Sequence, residues 1–324
     1  MNDQLTEVYA SIDALIDYAL AHLDLDPRNA DWTRNQIFAL FRLDSYPGPK
    51  TTTSAASVSD VVQDIVGSRS QAPYGEKTPD PLLAAFRAAA TTAGLFKPEE
   101  GPAYADTIMG ILSANPADLD DRFLLVEHRD GGMTAMQWFY DYCVANNYVK
   151  RAQLDRNPRF DSHGLTVTIN LAKPEFKNMK KAAAGNAVAG GYPKCTICHE
   201  NEGFAGRDKR TLRTLPVTLG GESWFWQFSP YGYFDQHGIC VNTDHTPMHV
   251  DRDTFGHLLD FVDRFPGYFL GCNAALPRIG GSVLAHDHYQ GGGELLPMHK
   301  AATWAAFTLA DYPDAVVEIL DWPG

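Results

Sequence analysis

A change of hydrophobic pattern near Asn157 and Pro158 constrains the fold of this 324-residue chain more than any other feature. Before this point, apolar residues recur every three or four positions, which is the period of an amphipathic helix. The clearest stripe consists of Leu5, Val8, Ile12, Leu15, Ile16 and Ala19. After it, segments such as 164–171 alternate and are rich in β-branched residues, as half-buried strands are. The pattern predicts an α+β chain, mainly helical over residues 1–160 and sheet-forming over 161–324.

Further elements follow from the same two periods. Helices are predicted over 33–43, 81–95, 104–113 and 136–148, and strands over 164–171, 211–219, 223–228, 231–241, 268–272 and 282–288. Asp253 is predicted to cap another helix, with His257 on its polar side. The apolar face of that helix contains Phe255, Leu258, Leu259 and Val262. Because the strands mostly follow one another along the chain, we expect an antiparallel sheet.

The charge balance restricts the classes of partner. The chain has 27 Lys and Arg against 40 Asp and Glu, a net charge of −13, which disfavours nucleic acid and anionic membrane surfaces as partners. No segment approaches the ~20 apolar residues of a membrane span, and the N-terminus lacks the basic region of a secretory signal. Five cysteines without a disulfide-rich spacing predict a reducing, cytoplasmic location.

The segment 280–293 has the highest density of chemically active residues. It reads Gly-Gly-Ser-Val-Leu-Ala-His-Asp-His-Tyr-Gln-Gly-Gly-Gly. In a strand, His286, His288 and Gln290 would project from one face at a spacing of ~6–7 Å. One histidine can then bind a metal, the next can attack an electrophile, and the amide can donate to a phosphoryl oxygen. The alternative interpretation is two surface histidines beside a flexible glycine turn.

A second motif, Cys195-Thr-Ile-Cys198-His199, allows several interpretations. C-x-x-C is typical of half a tetrahedral zinc site. A c-type haem requires export, for which the sequence has no signal, and a thioredoxin-like pair requires a helix that Pro193 and the following turn disfavour. A pair of thiols without a cofactor is the remaining alternative. The candidates for the other zinc ligands are His199, His237, His245, His249 and His286.

These motifs together resemble a known family. H-x-H-x-Q after a glycine-rich segment, preceded by C-x-x-C and by the Asp-His-Thr turn at 244–246, is similar to the galactose-1-phosphate uridylyltransferases of the histidine-triad (HIT) superfamily. The sequences of residues 195–207 and 273–282 resemble the second bacterial class of this family, and the resemblance is specific over residues 164–298. The resemblance implies a HIT-like antiparallel sheet with flanking helices as the catalytic domain at 161–324, after the helical N-terminal region.

The resemblance also implies a reaction and the residues that perform it. UMP would move from UDP-glucose to galactose 1-phosphate, or to an N-acetylhexosamine 1-phosphate, through a uridylyl group on His288, with Gln290 hydrogen-bonded to the phosphoryl oxygens. Asn273 matches a family position that contacts phosphate. The other substrate-binding residues predicted are Gly280, Gly281, Ser282 and Arg207. The resemblance implies a structural zinc on Cys195, Cys198, His245 and His286, and it implies a homodimer.

The sequence departs from the family pattern in two respects. Asp287 and Tyr289 stand where the better-studied class has Pro and Gly, and Asp287 is expected on the opposite face of the strand from the two histidines. Second-class members continue beyond residue 324, so we expect a C-terminal half-domain to be lacking. Two alternative functions remain: a HIT-type nucleotide hydrolase or phosphorylase, and an inactive, zinc-stabilised binding module. Gln290 replaces the third histidine of H-x-H-x-H, which favours transfer over hydrolysis.

Overall fold

The computed structural model describes residues 3–48, 78–171, 191–276 and 283–322. The N-terminal part is helical, as predicted. Its helices are α1 (Asp3–His22), α2 (Ala30–Leu40), α3 (Asp80–Thr92), α4 (Gly101–Leu112), α5 (Pro116–Asp130), α6 (Gly132–Ala145) and α7 (Arg151–Leu154). A later helix, α8 (Arg252–Arg264), lies among the strands. Within the described ranges, no helix combines the length and apolarity that a bilayer crossing requires.

The helices form where local sequence and burial agree. In α1, Val8, Ile12 and Leu15 of the predicted stripe are fully buried, and the helix packs against α3. Helix α5 begins after Asn115, whose side-chain oxygen accepts a hydrogen bond from the Asp118 N–H at 3.0 Å. This bond gives a partner to one of the N–H groups that the first turn of a helix leaves unpaired. The helix ends at Gly131, where φ is +86°, a conformation that costs glycine little.

The strands are antiparallel, as predicted. They are β1 (Arg159–Ser162), β2 (Leu165–Thr168), β3 (Leu215–Leu219), β4 (Glu222–Phe228), β5 (Gly238–Asn242), β6 (Phe269–Cys272), β7 (His288–Gly292), β8 (Thr303–Leu309) and β9 (Tyr312–Leu320). The central sheet has the order β3-β4-β5-β7-β6, while β1–β2 and β8–β9 form separate hairpins. The architecture is therefore α+β.

The two faces of the central sheet have different roles. One face belongs to the hydrophobic core shared with the helices, where Trp226 packs on Phe261 at 5.1 Å between ring centroids and Phe228 packs on Phe139 at 5.3 Å. Tyr289 lies on this core face, stacked on Trp224 at 4.8 Å. Because side chains alternate along a strand, His288 and Gln290 lie on the other face.

The helix predicted near residue 253 exists, but two details of the prediction were wrong. Its cap is Asp251, whose side-chain oxygen accepts the N–H groups of Asp253 and Thr254, so the helix begins at Arg252. His257, expected on the polar side, is only 6% exposed. It is buried because its Nδ1 is hydrogen-bonded to the Tyr289 hydroxyl at 2.9 Å, which replaces its contact with water.

The apolar face predicted for this helix was correspondingly misplaced in part. Phe255 and Leu259 are 68% and 61% exposed, whereas Leu258 and Val262 pack partly against the core. With His257 turned inward, the helix is rotated so that Phe261 becomes its fully buried aromatic residue. Hydrophobicity alone therefore gave the wrong rotation for α8.

Three of the predicted strands begin several residues later in the structure than expected. The strand expected over 231–241 begins at Gly238, and that expected over 211–219 begins at Leu215. The strand expected over 282–288 was misplaced: β7 runs from His288 to Gly292, so the prediction that His286 shares a strand face with His288 and Gln290 was wrong. His286 instead lies in a turn, where its N–H donates to the Val283 carbonyl at 3.1 Å. The turn directs His286 toward the cysteines, as described below.

Candidate active site and metal centre

Four side chains predicted as metal ligands converge in the structure. One potential ligand atom from each of Cys195, Cys198, His245 and His286 lies within 4.8 Å of all the others. The two sulfur atoms are 3.3 Å apart, and His286 Nδ1 lies 3.3 Å from Cys195 Sγ and 3.7 Å from Cys198 Sγ. The two cysteines reach His286 across about ninety residues of sequence, so the cluster is a product of the tertiary fold.

Backbone contacts hold the cysteine turn in shape. The Cys195 N–H points at Cys198 Sγ at 3.2 Å. The fully buried Asn201 side chain donates from Nδ2 to the carbonyl oxygens of both cysteines, at 2.8 Å each. Because one amide group spans both ends of the turn, the two sulfur atoms are fixed on the same side. His199, a weaker ligand candidate, is directed away from this cluster and toward Glu202.

The proton positions in the cluster suit a metal ion. His286 Nε2 lies 2.7 Å from the Asn242 carbonyl oxygen, which can only accept, so Nε2 carries the proton and Nδ1 presents its lone pair to the sulfur atoms. The hydrogen bond with Cys195 lowers the pKa of the Cys198 thiol, and His286 acts in the same direction. One thiol of the pair therefore gives up its proton readily.

The fourth side chain supplies the clearest sign of a binding site. His245 Nε2 is buried and has no hydrogen-bond partner among the described residues. Buried ring nitrogens are normally paired, and the ring of His245 offers one nitrogen to the cluster formed with the two cysteines and His286. Two cysteines and two histidines at these separations fit tetrahedral coordination by a soft or borderline divalent ion. The residues present can therefore hold a metal ion.

His288 is placed and protonated as a nucleophile requires. It is the first residue of β7 and is 3% exposed. Its Nδ1 lies 2.8 Å from the His286 carbonyl oxygen. Because a carbonyl only accepts, Nδ1 carries the proton and Nε2 keeps its lone pair. Burial lowers the pKa of His288 below its ordinary value, so the ring is neutral at pH 7.

Gln290 follows on the same strand face and has a partner that the sequence did not indicate. Its side chain is half-buried, and Oε1 lies 3.3 Å from Nε2 of His237. His237 entered the sequence analysis only as a possible metal ligand, and the structure places it away from the cysteines. The pairing of Gly238 with Gly291 in the sheet explains the contact, since it puts residue 237 beside the end of β7.

Asn273 lies level with His288. Strand β6 pairs Cys272 with Tyr289, so in this antiparallel register the next residue, Asn273, is opposite the preceding one, His288. The Asn273 Nδ2 group is buried and has no hydrogen-bond partner in the described ranges. An amide donor is therefore available beside the histidine. The predicted substrate-binding residues Gly280, Gly281 and Ser282 lie outside the described residues.

Arg207 is in a different environment. Its guanidinium donates from Nη2 to the Pro193 carbonyl at 3.0 Å. It lines a cleft of about 610 Å³ between the helical part and the cysteine loop, together with Lys150 and Lys209. Burial lowers the pKa of Lys209 to about 8. The described lining of this cleft includes neither His288 nor Gln290, so the role of Arg207 in substrate binding stays a prediction.

Asp287, between the two histidines, is fully buried but does not belong to the metal cluster. Its carboxylate lies 3.5 Å from His249 Nδ1, and burial raises its pKa. Its backbone N–H donates to the Thr246 carbonyl at 2.7 Å, which ties the start of β7 to the turn that carries His245. Asp287 therefore contributes to the site through the backbone.

Comparisons with known proteins identify one family of similar sequences. The family model "Galactose-1-phosphate uridyl transferase, N-terminal domain" matches residues 67–247. Curated proteins named galactose-1-phosphate uridylyltransferase are similar to this chain, among them one from Halalkalibacterium halodurans, 33% identical over 98% of the chain and 61% of the relative. Another, from Butyrivibrio fibrisolvens, is 33% identical over 97% of the chain and 78% of the relative. A third, from Caldanaerobacter subterraneus, is 36% identical over 76% of the chain and 49% of the relative.

The chain thus spans about half to three quarters of the length of these relatives. No solved structure shows a significant match to it.

Proposed function

Because this chain belongs to the galactose-1-phosphate uridylyltransferase family, we propose that it transfers UMP between UDP-glucose and galactose 1-phosphate through a uridylyl group on His288. The observation that supports this most directly is the hydrogen bond from His288 Nδ1 to the His286 carbonyl. It fixes one tautomer, in which Nε2 is the only ring nitrogen able to attack phosphorus.

In the first half-reaction, His288 Nε2 attacks the α-phosphorus of UDP-glucose. A P–N bond forms, the bond from that phosphorus to the bridging oxygen breaks, and glucose 1-phosphate leaves. The Nδ1 proton remains on the ring, which becomes positively charged, and the His286 carbonyl accepts its strengthened hydrogen bond. In the second half-reaction, a phosphate oxygen of galactose 1-phosphate attacks the same phosphorus, the P–N bond breaks, and neutral His288 is restored with UDP-galactose as the product.

Two amide groups are placed to stabilise the negative charge that develops on the phosphoryl oxygens. Gln290 lies two residues after His288 on the same strand face, and Asn273 lies level with His288 on the neighbouring strand. Donors fixed before the reaction stabilise developing charge without reorganisation during it. The buried and unpaired Nδ2 of Asn273 supports this role, because a bound phosphoryl group would supply its missing acceptor.

We further propose that Cys195, Cys198, His245 and His286 bind zinc, since a set of two cysteines and two histidines is typical of structural zinc sites. Bound zinc would neutralise the thiolate charge and stabilise the cysteine turn. The protein residues then connect the two sites, because His286 provides a ligand nitrogen from its side chain and the His288 acceptor from its backbone. The metal cluster would thereby position the nucleophile.

The intact mass of the protein after brief exposure to UDP-glucose tests the proposal. A uridylyl group that peptide mapping places on His288, and that galactose 1-phosphate removes, is the expected result. His128→Ala is a matched control, since His128 is exposed on α5 and far along the chain from the site. A metal-loaded, folded sample that forms no adduct would contradict the proposal and favour the binding-module alternative.

The same experiment separates transfer from hydrolysis. An adduct that persists in buffer and is discharged only by a sugar phosphate indicates a transferase, whereas rapid loss to water would indicate a nucleotide hydrolase. Comparing galactose 1-phosphate with an N-acetylhexosamine 1-phosphate identifies the acceptor. The homodimer and the cytoplasmic location stay predictions.

A further inference from the structure

We infer that His237 is a positioning residue for the uridylyl transfer: it fixes the carboxamide of Gln290 so that the Nε2 amino group faces the reacting phosphoryl group. This inference rests on the proposed function. It begins from the contact between His237 Nε2 and Gln290 Oε1 at 3.3 Å. An amide oxygen can only accept, so the ring nitrogen must donate, and the two amide hydrogens of Gln290 point elsewhere.

The His237 ring is held in this orientation by its own loop. It packs on Phe234 at 4.2 Å and on Tyr233 at 4.7 Å between ring centroids. The loop also comes close at Gly232, where a Cβ would lie 2.6 Å from Cβ of His237. With 7% of the residue exposed, the imidazole has little room to rotate. The donor is therefore preorganised before any substrate binds.

The backbone of Gln290 is equally restricted. Its register in β7 pairs it with Ile239 on one side and with Gly271 on the other. The Cα–Cβ bond therefore leaves the sheet in a fixed direction, and the orientation of the terminal amide depends on the side-chain torsions and on the partners of the amide. The two orientations of that amide have opposite chemical effects: one presents hydrogen-bond donors to a phosphoryl oxygen, and the other presents a carbonyl oxygen that repels it.

The Nε2–H tautomer of His237 removes this ambiguity, because only the first orientation places an acceptor opposite that N–H. Without that donor, the Gln290 amide would populate both orientations. Only the fraction of molecules with the amide in the donating orientation could then stabilise the reacting phosphoryl group. We therefore expect a loss in the rate of uridylylation rather than in the affinity for UDP-glucose, because the amide matters most when charge develops on the phosphoryl oxygens. A loss of about tenfold is expected, smaller than complete removal of a donor.

The test compares His237→Phe, which keeps an aromatic ring but no donor, with His237→Gln, which retains an amide donor. Single-turnover uridylylation by UDP-glucose should be about tenfold slower in the phenylalanine variant at saturating substrate, with KM little changed. The glutamine variant should recover part of the rate. Thermal unfolding of both variants, measured alongside, identifies any loss that comes from misfolding.

A double-mutant cycle with Gln290→Ala shows whether His237 acts through Gln290. In the Gln290→Ala background, His237→Phe should cause no further loss of rate, because the group that it positions is gone. A purely structural role would instead slow both backgrounds by the same factor, and that outcome would overturn the inference. An unchanged rate in the single variant His237→Phe would overturn it as well.

Nitrogen-15 NMR of the histidine rings provides a readout that does not depend on turnover. In the wild-type protein, the His237 signal, assigned by its loss in His237→Gln, should show a proton on Nε2, and it should shift in Gln290→Ala. A ring without a proton on Nε2 would overturn the inference even in an active enzyme. If the wild-type protein forms no uridylyl adduct at all, the proposed function fails, and the inference fails with it.

Discussion

His286 and His288 are separated by one residue and are both buried, yet their hydrogen bonds leave opposite ring nitrogens without a proton. In His286, the Nε2–H group donates to a backbone carbonyl and Nδ1 faces the cysteine sulfur atoms; in His288, the Nδ1–H group donates to a backbone carbonyl and Nε2 keeps its lone pair. Burial does not distinguish the two rings. The comparison indicates that the ring nitrogen hydrogen-bonded to the backbone determines which nitrogen remains for the proposed metal or for the proposed attack on phosphorus.

Removal of the proposed nucleophile should have the largest effect of all. It should lower the rate of uridylylation and leave the stability of the fold nearly unchanged. We expect His288→Ala to lower the rate of uridylylation by at least about a thousandfold, because in the proposed reaction His288 supplies the nitrogen of the P–N bond. The free energy of unfolding should fall by less than about 2 kcal/mol, since the variant leaves the cysteine cluster intact. Adduct formation by mass spectrometry and urea unfolding measure the two effects.

Removal of a proposed metal ligand should have the opposite result, with stability lowered more directly than the rate of uridylylation. Cys195→Ser should lower the free energy of unfolding by about 3 kcal/mol or more, because the metal-binding energy contributes to folding. The matched control is Cys240→Ser, a fully buried cysteine outside the cluster. Metal content and urea unfolding provide the measurement. Equal losses of stability in Cys195→Ser and His288→Ala would contradict the separation of roles.

The support of the cysteine turn allows a finer test. Asn201→Ala removes the amide that donates to both cysteine carbonyls, so metal affinity should fall about 10- to 100-fold. With metal in excess, uridylylation should return to near the wild-type rate, because His288 is untouched. Competition with a chelator measures the affinity. A rate that stays low at saturating metal would mean that the turn contributes to chemistry directly.

The smallest effect is expected for substitution of Asp120, which should change the free energy of unfolding but not the rate of uridylylation. Burial and the neighbouring Glu202 raise the pKa of Asp120 to about 6. The folded state therefore binds more protons than the unfolded state between about pH 4 and pH 6, so stability falls as pH rises through this window. Asp120→Asn should stabilise the protein at pH 7 by no more than about 1 kcal/mol, since the carboxyl is only half-buried.

Most of that gain should disappear near pH 4, where the wild-type carboxyl is protonated in the folded state and about half protonated in the unfolded state, and urea unfolding at both pH values measures it. Uridylylation should be unchanged at pH 7. A stability gain that persists in full at pH 4 would show that the charge of Asp120 is not its cause.

The sequence predicted the cluster of Cys195, Cys198, His245 and His286 because C-x-x-C favours a metal site over its alternatives, and the family resemblance supplied His245 and His286. It predicted the α1 stripe because an amphipathic helix shows its buried face in its period. It failed at His257, whose burial depends on the hydroxyl of Tyr289, a residue on a different element. It likewise missed the His237–Gln290 contact, which arises from strand pairing. A polar residue that is buried by a distant partner leaves no periodic signal.

The cysteine cluster also protects the strand against slippage. If β7 shifted by a single residue against β5, His288 and Gln290 would turn into the aromatic core and Tyr289 would emerge on the reactive face. His286, bound at the cysteines immediately before the strand, would have to leave the cluster for that shift to occur. The proposed metal ligand thus acts as a stop that allows one alignment of the strand, and only that alignment presents the proposed nucleophile.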